Sequence, residues 1–204
     1  MQIIRDIEQG TPEWHKLRLG VATASNFSKI VTSTGELSKS INGYALKLAT
    51  EYFLIEPEET YKSAAMERGT ELEPEARQAY SEFSLTKVEE VAFIKSDCGN
   101  YGYSPDGLVN EEGLIEIKCP QDTTHFEYII DDCLPVEYKA QVQGGLMISG
   151  RKWCDFVSFH PNFCEDKKLF VKRVFRDEDF IKKLGAGIQK TIAMRDEILK
   201  QIKG

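Results

Sequence analysis

Cysteine is sparse and poorly spaced for chemistry of its own. The five residues (Cys98, Cys119, Cys133, Cys154, Cys164) are odd in number, widely and irregularly separated, and contain no CxxC pair. That pattern argues against a disulfide framework, a zinc site or an iron–sulfur cluster and suits a reducing cytoplasm. The five read as ordinary buried or partly buried thiols. Histidine is scarcer still, and His15, His125 and His160 are too scattered to suggest a metal cluster or a triad. There is no GxSxG and no GxxxxGK(S/T). No apolar run approaches the roughly 18 residues a membrane span needs, and charge follows too soon after Met1 for a signal peptide. Repeats, low-complexity tracts and linkers are missing too. The 204 residues, 41% hydrophobic, are therefore read as one domain, residues 1–204, with a sizeable core.

Positive charge is in deficit, the net being −7. Residues 1–50 nevertheless carry six Lys/Arg against four acids, a local +2 that leaves −9 for the remainder. Any grip on phosphates is expected to be local, from this N-terminal segment and bound metal.

What the chain does hold is GYSPDGLVNEEGLIEIKCP, Gly102 to Pro120. Leu114, Glu116 and Lys118 alternate with Ile115 and Ile117, the period-2 pattern of a strand, so Glu116 and Lys118 leave one face roughly 7 Å apart. Ser104-Pro105-Asp106-Gly107 reads as a turn feeding a short strand, Leu108-Val109, and Asn110 to Gly113 as the reversal of a hairpin. Register decides the chemistry. A three-residue loop, Asn110 to Glu112 with Gly113 as a bulge, places Asp106 opposite Glu116; a two-residue loop at Glu111-Glu112 turns the Asp106 carboxylate to the other face. The three-residue loop is the expectation. Two carboxylates and a lysine then share one small surface, where like charges need a cation to coexist. Hard oxygen ligands with open positions suit Mg²⁺ or Mn²⁺ better than zinc.

Elsewhere, Thr11-Pro12 reads as a helix start ending near Gly20, and Ser25 as the cap of a second short helix through Phe27 and Ile30. The free N–H groups of that helix and the planar fork of Arg18 suit a phosphate, although Arg18 in a surface ion pair and Ser25 as a plain cap read equally well. Residues 32–40 form a polar loop, and a helix runs from Asn42 to about Leu54. Met66, Gly69, Leu72, Ala76, Ala79 and Phe83 mark the inner stripe of an amphipathic helix from Met66 to Phe83. Glu73 lies at its edge, either a third carboxylate aimed at the metal or part of a solvated face. Val88–Ile94 and Tyr101–Tyr103 read as strands, and 122–131 as a helix with Phe126, Ile129 and Ile130 inward. A helix from near Pro135 to Met147 carries Gln141 and Gln143, with Gly144-Gly145 allowing close packing. Trp153–His160 and Leu169–Phe175 alternate as strands, and Phe180–Ile202 is a long amphipathic helix.

EWHKLRLGVATAS (Glu13–Ser25), the Gly69–Arg77 helix, SPDGL, LIEIKCP and KAQVQ (Lys139–Gln143) occur in order and sensibly spaced. Together these blocks resemble the phage lambda exonuclease, or YqaJ-type viral recombinase, family of the PD-(D/E)XK nuclease superfamily, over about residues 9–180. The resemblance implies an α/β fold, a central mixed β-sheet flanked by α-helices with a restriction-endonuclease-like core. It implies Mg²⁺-dependent, processive 5′→3′ digestion of one strand of double-stranded DNA from its ends, releasing 5′-mononucleotides and leaving 3′ overhangs for recombination. Two Mg²⁺ ions, with Mn²⁺ able to substitute, are implied at Asp106, Glu116 and the Ile117 carbonyl, with Lys118 orienting or activating water. Glu73 matches a third acidic position and Gln141 the glutamine of the helix behind the site. Arg18 and Ser25 match the residues that hold the 5′-phosphate, and Met66 an apolar wedge that splits the terminal base pair, where methionine also serves as core filler. A ring-shaped homotrimer, a phage single-strand annealing partner and the cytoplasm of a bacterial host are further implications. The 32–40 loop departs from the family in keeping only Lys39. Two rivals are a site-specific endonuclease on the same core and a non-catalytic DNA-end-binding module.

Overall fold

A computed structural model of the protein describes residues 1–57 and 63–203. The fold is mixed α/β, and its strands form two sheets where one central sheet was expected. The smaller sheet takes β1 (Gln2–Ile4), β2 (Ala22–Thr23), β4 (Phe93–Lys95) and β5 (Tyr101–Tyr103) in the order β1-β4-β5-β2. The larger takes β3 (Val88–Glu89), β6 (Gly107–Val109), β7 (Gly113–Lys118), β8 (Trp153–Phe159) and β9 (Leu169–Phe175) in the order β3-β6-β7-β8-β9. Both sheets are mixed, β2 lying parallel to β5 and β7 parallel to β8. Flanking them are α1 (Pro12–Leu17), α2 (Ile41–Glu51), α3 (Ala64–Ser84), α4 (Asp122–Asp131), α5 (Lys139–Ser149) and α6 (Glu178–Lys203). The β7–β8 crossover, which a parallel pair requires, is made by α4 and α5.

The division into two sheets falls inside Val88–Ile94, expected as a single strand. Between β3 and β4 the carbonyls of Val91 and Ala92 accept from the side chains of Gln9 and Trp14, which stand where a strand neighbour would otherwise donate. Val91 and Ile94 pack in the main hydrophobic cluster, while Ala92 and Phe93 pack against Trp14 and Leu17. Four consecutive buried residues serving two clusters break the alternation a single strand needs.

The hairpin has the three-residue loop. Gly107 pairs with Ile115, Leu108 with Leu114 and Val109 with Gly113, leaving Asn110 to Glu112 as the connection. Gly113 stays in the ladder and is no bulge; the left-handed residue is Asn110 (φ 49°), a type that tolerates that conformation. The Arg151 guanidinium donates to the carbonyls of Val109, Asn110 and Gly113, holding the loop from outside.

Thr11 caps α1 as expected, its hydroxyl accepting from the Trp14 amide. The next helix is a 3₁₀ turn, Ala24–Lys29, with Thr23 at the cap position; Ser25 lies inside it and does not cap it. On α3 the buried stripe is Ala76 and Tyr80, with Ala79 alongside, whereas Met66 and Phe83 are exposed. Tyr80 escapes a purely hydrophobic count because its hydroxyl is placed by a bond to Asp155. On α4 the inward residues are His125 and Tyr128, not Phe126 and Ile130, which are 53% and 65% exposed. His125 can enter because the Ser158 hydroxyl and the Lys167 carbonyl occupy its two ring nitrogens. His160 lies 5.9 Å away ring to ring, so two of the three histidines meet despite their sequence separation. All five cysteines are free, and Cys98, Cys133 and Cys164 are exposed, contrary to the expectation of burial.

Arg195 of α6 is itself buried and donates to the Gly20 carbonyl and to Asn100, tying the far end of the chain to the loop behind α1. Gly145 allows the closest approach that matters to the site: a Cβ there would lie 2.7 Å from the Tyr103 ring.

Candidate active site

Extending the observed register by one pair sets Asp106 opposite Glu116. Glu116 is 1% exposed, and three side-chain donors answer it. Lys118 Nζ donates to Oε1 at 2.6 Å, Gln141 Nε2 of α5 donates to the same oxygen, and the Tyr103 hydroxyl donates to Oε2 at 2.9 Å. An ionised carboxylate can accept about four hydrogen bonds, so an open direction is left. Asp106 Oδ2 accepts the Ile117 amide at 2.6 Å, which seats the first carboxylate against the backbone of the strand carrying the second.

The electrostatics follow from the crowding. Burial, reinforced by the neighbouring Glu116, pushes the Asp106 carboxyl well above the usual carboxylate range, and Lys118 opposes this. Burial works against the charge on Lys118, but Glu116 and Asp106 together outweigh it and raise its pKa. The Tyr103 phenol is driven well up by burial and by Glu116, so it stays a donor. Lys118 also sits 5.1 Å from the centre of the Tyr138 ring, which adds an attractive face for the ammonium.

Glu73 feels the charges of this group but is held by α3 itself. Its carboxylate accepts from Arg77 at 2.5 Å; burial raises its pKa, while Arg77 and Lys118 pull it back. Arg77 Nε also donates to the Asp106 carbonyl at 3.0 Å, and Arg68 to the carbonyls of Cys119 and Pro120, so one helix grips the chain on either side of the two carboxylates. Gln143, flagged beside Gln141, bridges the Phe175 carbonyl and the Asp177 amide and belongs to the scaffold.

Sequence reasoning did not single out Tyr103, Tyr138, Arg68 or Arg77 as site residues. Arg77 carried a signal, four residues after Glu73 on a helix, where opposite charges meet. Tyr138 carried none, because it reaches Lys118 from beyond α4. Tyr103, although it lies inside the Gly102–Pro120 stretch, reads as an ordinary strand residue until its hydroxyl is seen on Glu116.

A separate cavity of about 690 Å³ is lined by Trp14, Arg18, Thr23, Asn26, Lys47 and Met66, among others. Arg18 stacks on Trp14, 3.9 Å to the ring centre, and donates to Ser25 Oγ at 3.4 Å; burial lowers its pKa to about 10, which leaves it charged at neutral pH. No carboxylate among the described residues pairs with Arg18 at ion-pair distance, so the surface-pair reading of it is not what the structure shows. Met66 is 58% exposed on the rim, hence not core filler.

The donor set at Asp106 and Glu116 is all oxygen, and burial, with Glu116 second, is what raises the Asp106 pKa. A hard divalent ion fits these groups and the Ile117 carbonyl better than zinc does. Among the described residues no ready-made cluster of three His, Cys, Asp or Glu occurs, in keeping with Glu73 being engaged by Arg77. No helix among them is long and apolar enough to cross a membrane.

The model of a family described as the YqaJ-like viral recombinase domain matches residues 13–152. No curated protein matches the chain. Among solved structures, an alkaline exonuclease from Laribacter hongkongensis is similar at 36% identity with a TM-score of 0.86, covering 95% of this chain and 96% of that one. The same exonuclease in complex with dAMP is similar at 35% identity, with a TM-score of 0.85 and the same coverage. A phage-related exonuclease from Haemophilus somnus shares 12% identity at a TM-score of 0.73, covering 89% of this chain and 96% of that one, a likeness of fold.

Proposed function

The chain belongs to the YqaJ-like viral recombinase domain family, and from that membership we propose that it is a divalent-metal-dependent exonuclease on double-stranded DNA ends. It digests one strand processively from 5′ to 3′, releases 5′-mononucleotides and leaves 3′ overhangs for strand annealing. The observation that carries this reading is the meeting of Asp106, Glu116, Lys118 and Gln141 on one surface. The similarity to an alkaline exonuclease over nearly the whole of both chains supports it. So does the dAMP held by that relative, a deoxynucleoside monophosphate of the class such a reaction releases.

Asp106, Glu116 and the Ile117 carbonyl hold Mg²⁺, as two ions, with Glu73 as a third carboxylate and Mn²⁺ able to substitute. The metal, when bound, lowers the pKa of water and offsets charge on the scissile phosphate. Lys118 places a positive charge where the transition state gathers negative charge, and Glu116 and Tyr138 fix its position. Gln141 and Tyr103 lock the Glu116 carboxylate in one rotamer, so little reorganisation accompanies the reaction. Arg18, which lines the 690 Å³ cavity, and Ser25, to which it donates, take the 5′-phosphate, and Met66, also lining that cavity, wedges the terminal base pair. A homotrimeric ring, a phage single-strand annealing partner and a place in the cytoplasm of a bacterial host complete the proposal.

Linear 5′-phosphorylated duplex and closed circular duplex, each incubated with Mg²⁺, test it. Mononucleotides from the linear form alone are expected. Cutting of the circle would point to an endonuclease, and inert linear DNA to a binding module.

A further inference from the structure

Arg77 is connected in a way that a simple ion pair with Glu73 does not require. Its three nitrogens serve three acceptors: Nη2 donates to Glu73, Nη1 pairs with Glu90 at 2.9 Å, and Nε donates to the Asp106 carbonyl at 3.0 Å. The Arg77 side chain is 14% exposed, whereas Glu90 stands at the surface. Glu73 senses Lys118 and Glu116 as well as Arg77, so it lies within the field of the carboxylate pair although its hydrogen bond runs along α3.

We propose that Arg77 is a positioning residue that acts as an exchangeable counter-ion: it occupies Glu73 in the metal-free protein and hands that carboxylate to the divalent ion as the metal binds. The inference rests on the reading of Glu73 as a metal-side carboxylate. The exchange is favourable because Arg77 does not become unpaired when Glu73 leaves. The guanidinium keeps its contact with Glu90 through Nη1 and its bond to the Asp106 carbonyl through Nε, so the backbone of the first carboxylate stays fixed while the third is released. A lysine could not do this, since a single point donor has no rigid fork to hold two acceptors while surrendering a third. Glu90, remote from the chemistry, therefore tunes metal affinity through Arg77.

The test is a double-mutant cycle on Mn²⁺ binding, measured by calorimetry on the full chain without DNA. With Glu90→Gln, Arg77 leans harder on Glu73 and the Mn²⁺ dissociation constant should rise about three- to tenfold. With Glu73→Gln there is no carboxylate to hand over, and adding Glu90→Gln should then change the constant by less than about twofold. A merely electrostatic influence of Glu90 would weaken binding equally in both backgrounds and overturn the exchange, because only coupled residues give non-additive cycles. So would an unchanged constant in Glu90→Gln. Melting temperatures without metal should be alike across the four proteins. If the unmodified protein binds no Mn²⁺, or binds it undiminished after Asp106→Asn, the reading of the site fails; if it binds and the cycle is additive, the exchange alone fails.

Discussion

The Arg18 guanidinium lies on the face of the Trp14 indole, and the indole nitrogen donates to Ser104, two residues ahead of Asp106. The side chain proposed to grip the 5′-phosphate is therefore braced on the turn that carries the first carboxylate. The spacing between Arg18 and Asp106 is thus set by packing through Trp14 rather than by a flexible loop.

Arg18→Ala is expected to abolish the preference for 5′-phosphorylated over 5′-hydroxyl ends. A lost charge-assisted hydrogen bond is worth about 1.5–3 kcal/mol, roughly ten- to a hundredfold in the ratio of kcat/KM for the two ends. Trp14→Phe keeps a ring under the guanidinium but loses the tie to Ser104, and should give an intermediate ratio. An unchanged ratio in both variants would place the phosphate elsewhere.

Asp106→Asn and Glu116→Gln should each remove cleavage while end binding, measured by fluorescence anisotropy, stays within about threefold, since the polar shape of each side chain is kept. Glu116→Ala is a harsher change, stranding Lys118, Gln141 and Tyr103 around a void; breaking a buried pair costs about 3–5 kcal/mol. Its melting temperature should fall well below that of Glu116→Gln.

Gly145→Ala should disturb catalysis from behind the site. The added methyl would press on the Tyr103 ring at 2.7 Å and drive the phenol from Glu116. Overpacking of this kind costs about 1–3 kcal/mol of stability, and kcat should drop with little change in KM for DNA. If Tyr103→Phe in the same assay keeps full kcat, the phenol is not what positions Glu116.

Acid should loosen the α4 corner. Burial lowers the pKa of both His125 and His160, so the folded protein favours their neutral forms and the unfolded chain binds protons more readily. Stability is thus complete above the ordinary histidine pKa of about 6.5 and declines as pH falls through it. The charged groups facing His160 are Arg68 and Asp122, the former opposing protonation and the latter aiding it, while the Lys167 carbonyl favours protonation of His125. Melting temperature is expected to fall between about pH 7 and pH 5, and the slope to flatten in a His125→Asn, His160→Asn double variant.

Much of this was legible in the chain. The strand alternating Glu and Lys with Ile was readable, whereas the hairpin register was one of two that the sequence allowed, and the structure has the expected three-residue loop without the expected bulge at Gly113. Glu73, Gln141, Arg18 and Ser25 stood out from their positions with two readings each, the blocks resembling the exonuclease family gave them roles, and the structure brings Gln141 onto Glu116 and Arg18 onto Ser25. What stayed hidden were polar groups with remote partners. His125 and Tyr80 look unfit for an inward face until Ser158 and Asp155 are seen to answer them, 33 and 75 residues away. The sheet boundary at Val91 was equally unreadable, because the side chains that take its carbonyls come from the first fourteen residues.

The bond from Arg195 to the Gly20 carbonyl spans 175 positions. A growing polypeptide presents Gly20 to the ribosome exit early and must wait for nearly all of synthesis before its partner emerges. The carboxylate hairpin, whose own pairings lie within a dozen residues, can close long before that. Ordering by contact separation thus makes the first segment translated one of the last to settle, so the Arg18 side chain proposed to hold a DNA terminus is fixed in place after the carboxylate pair.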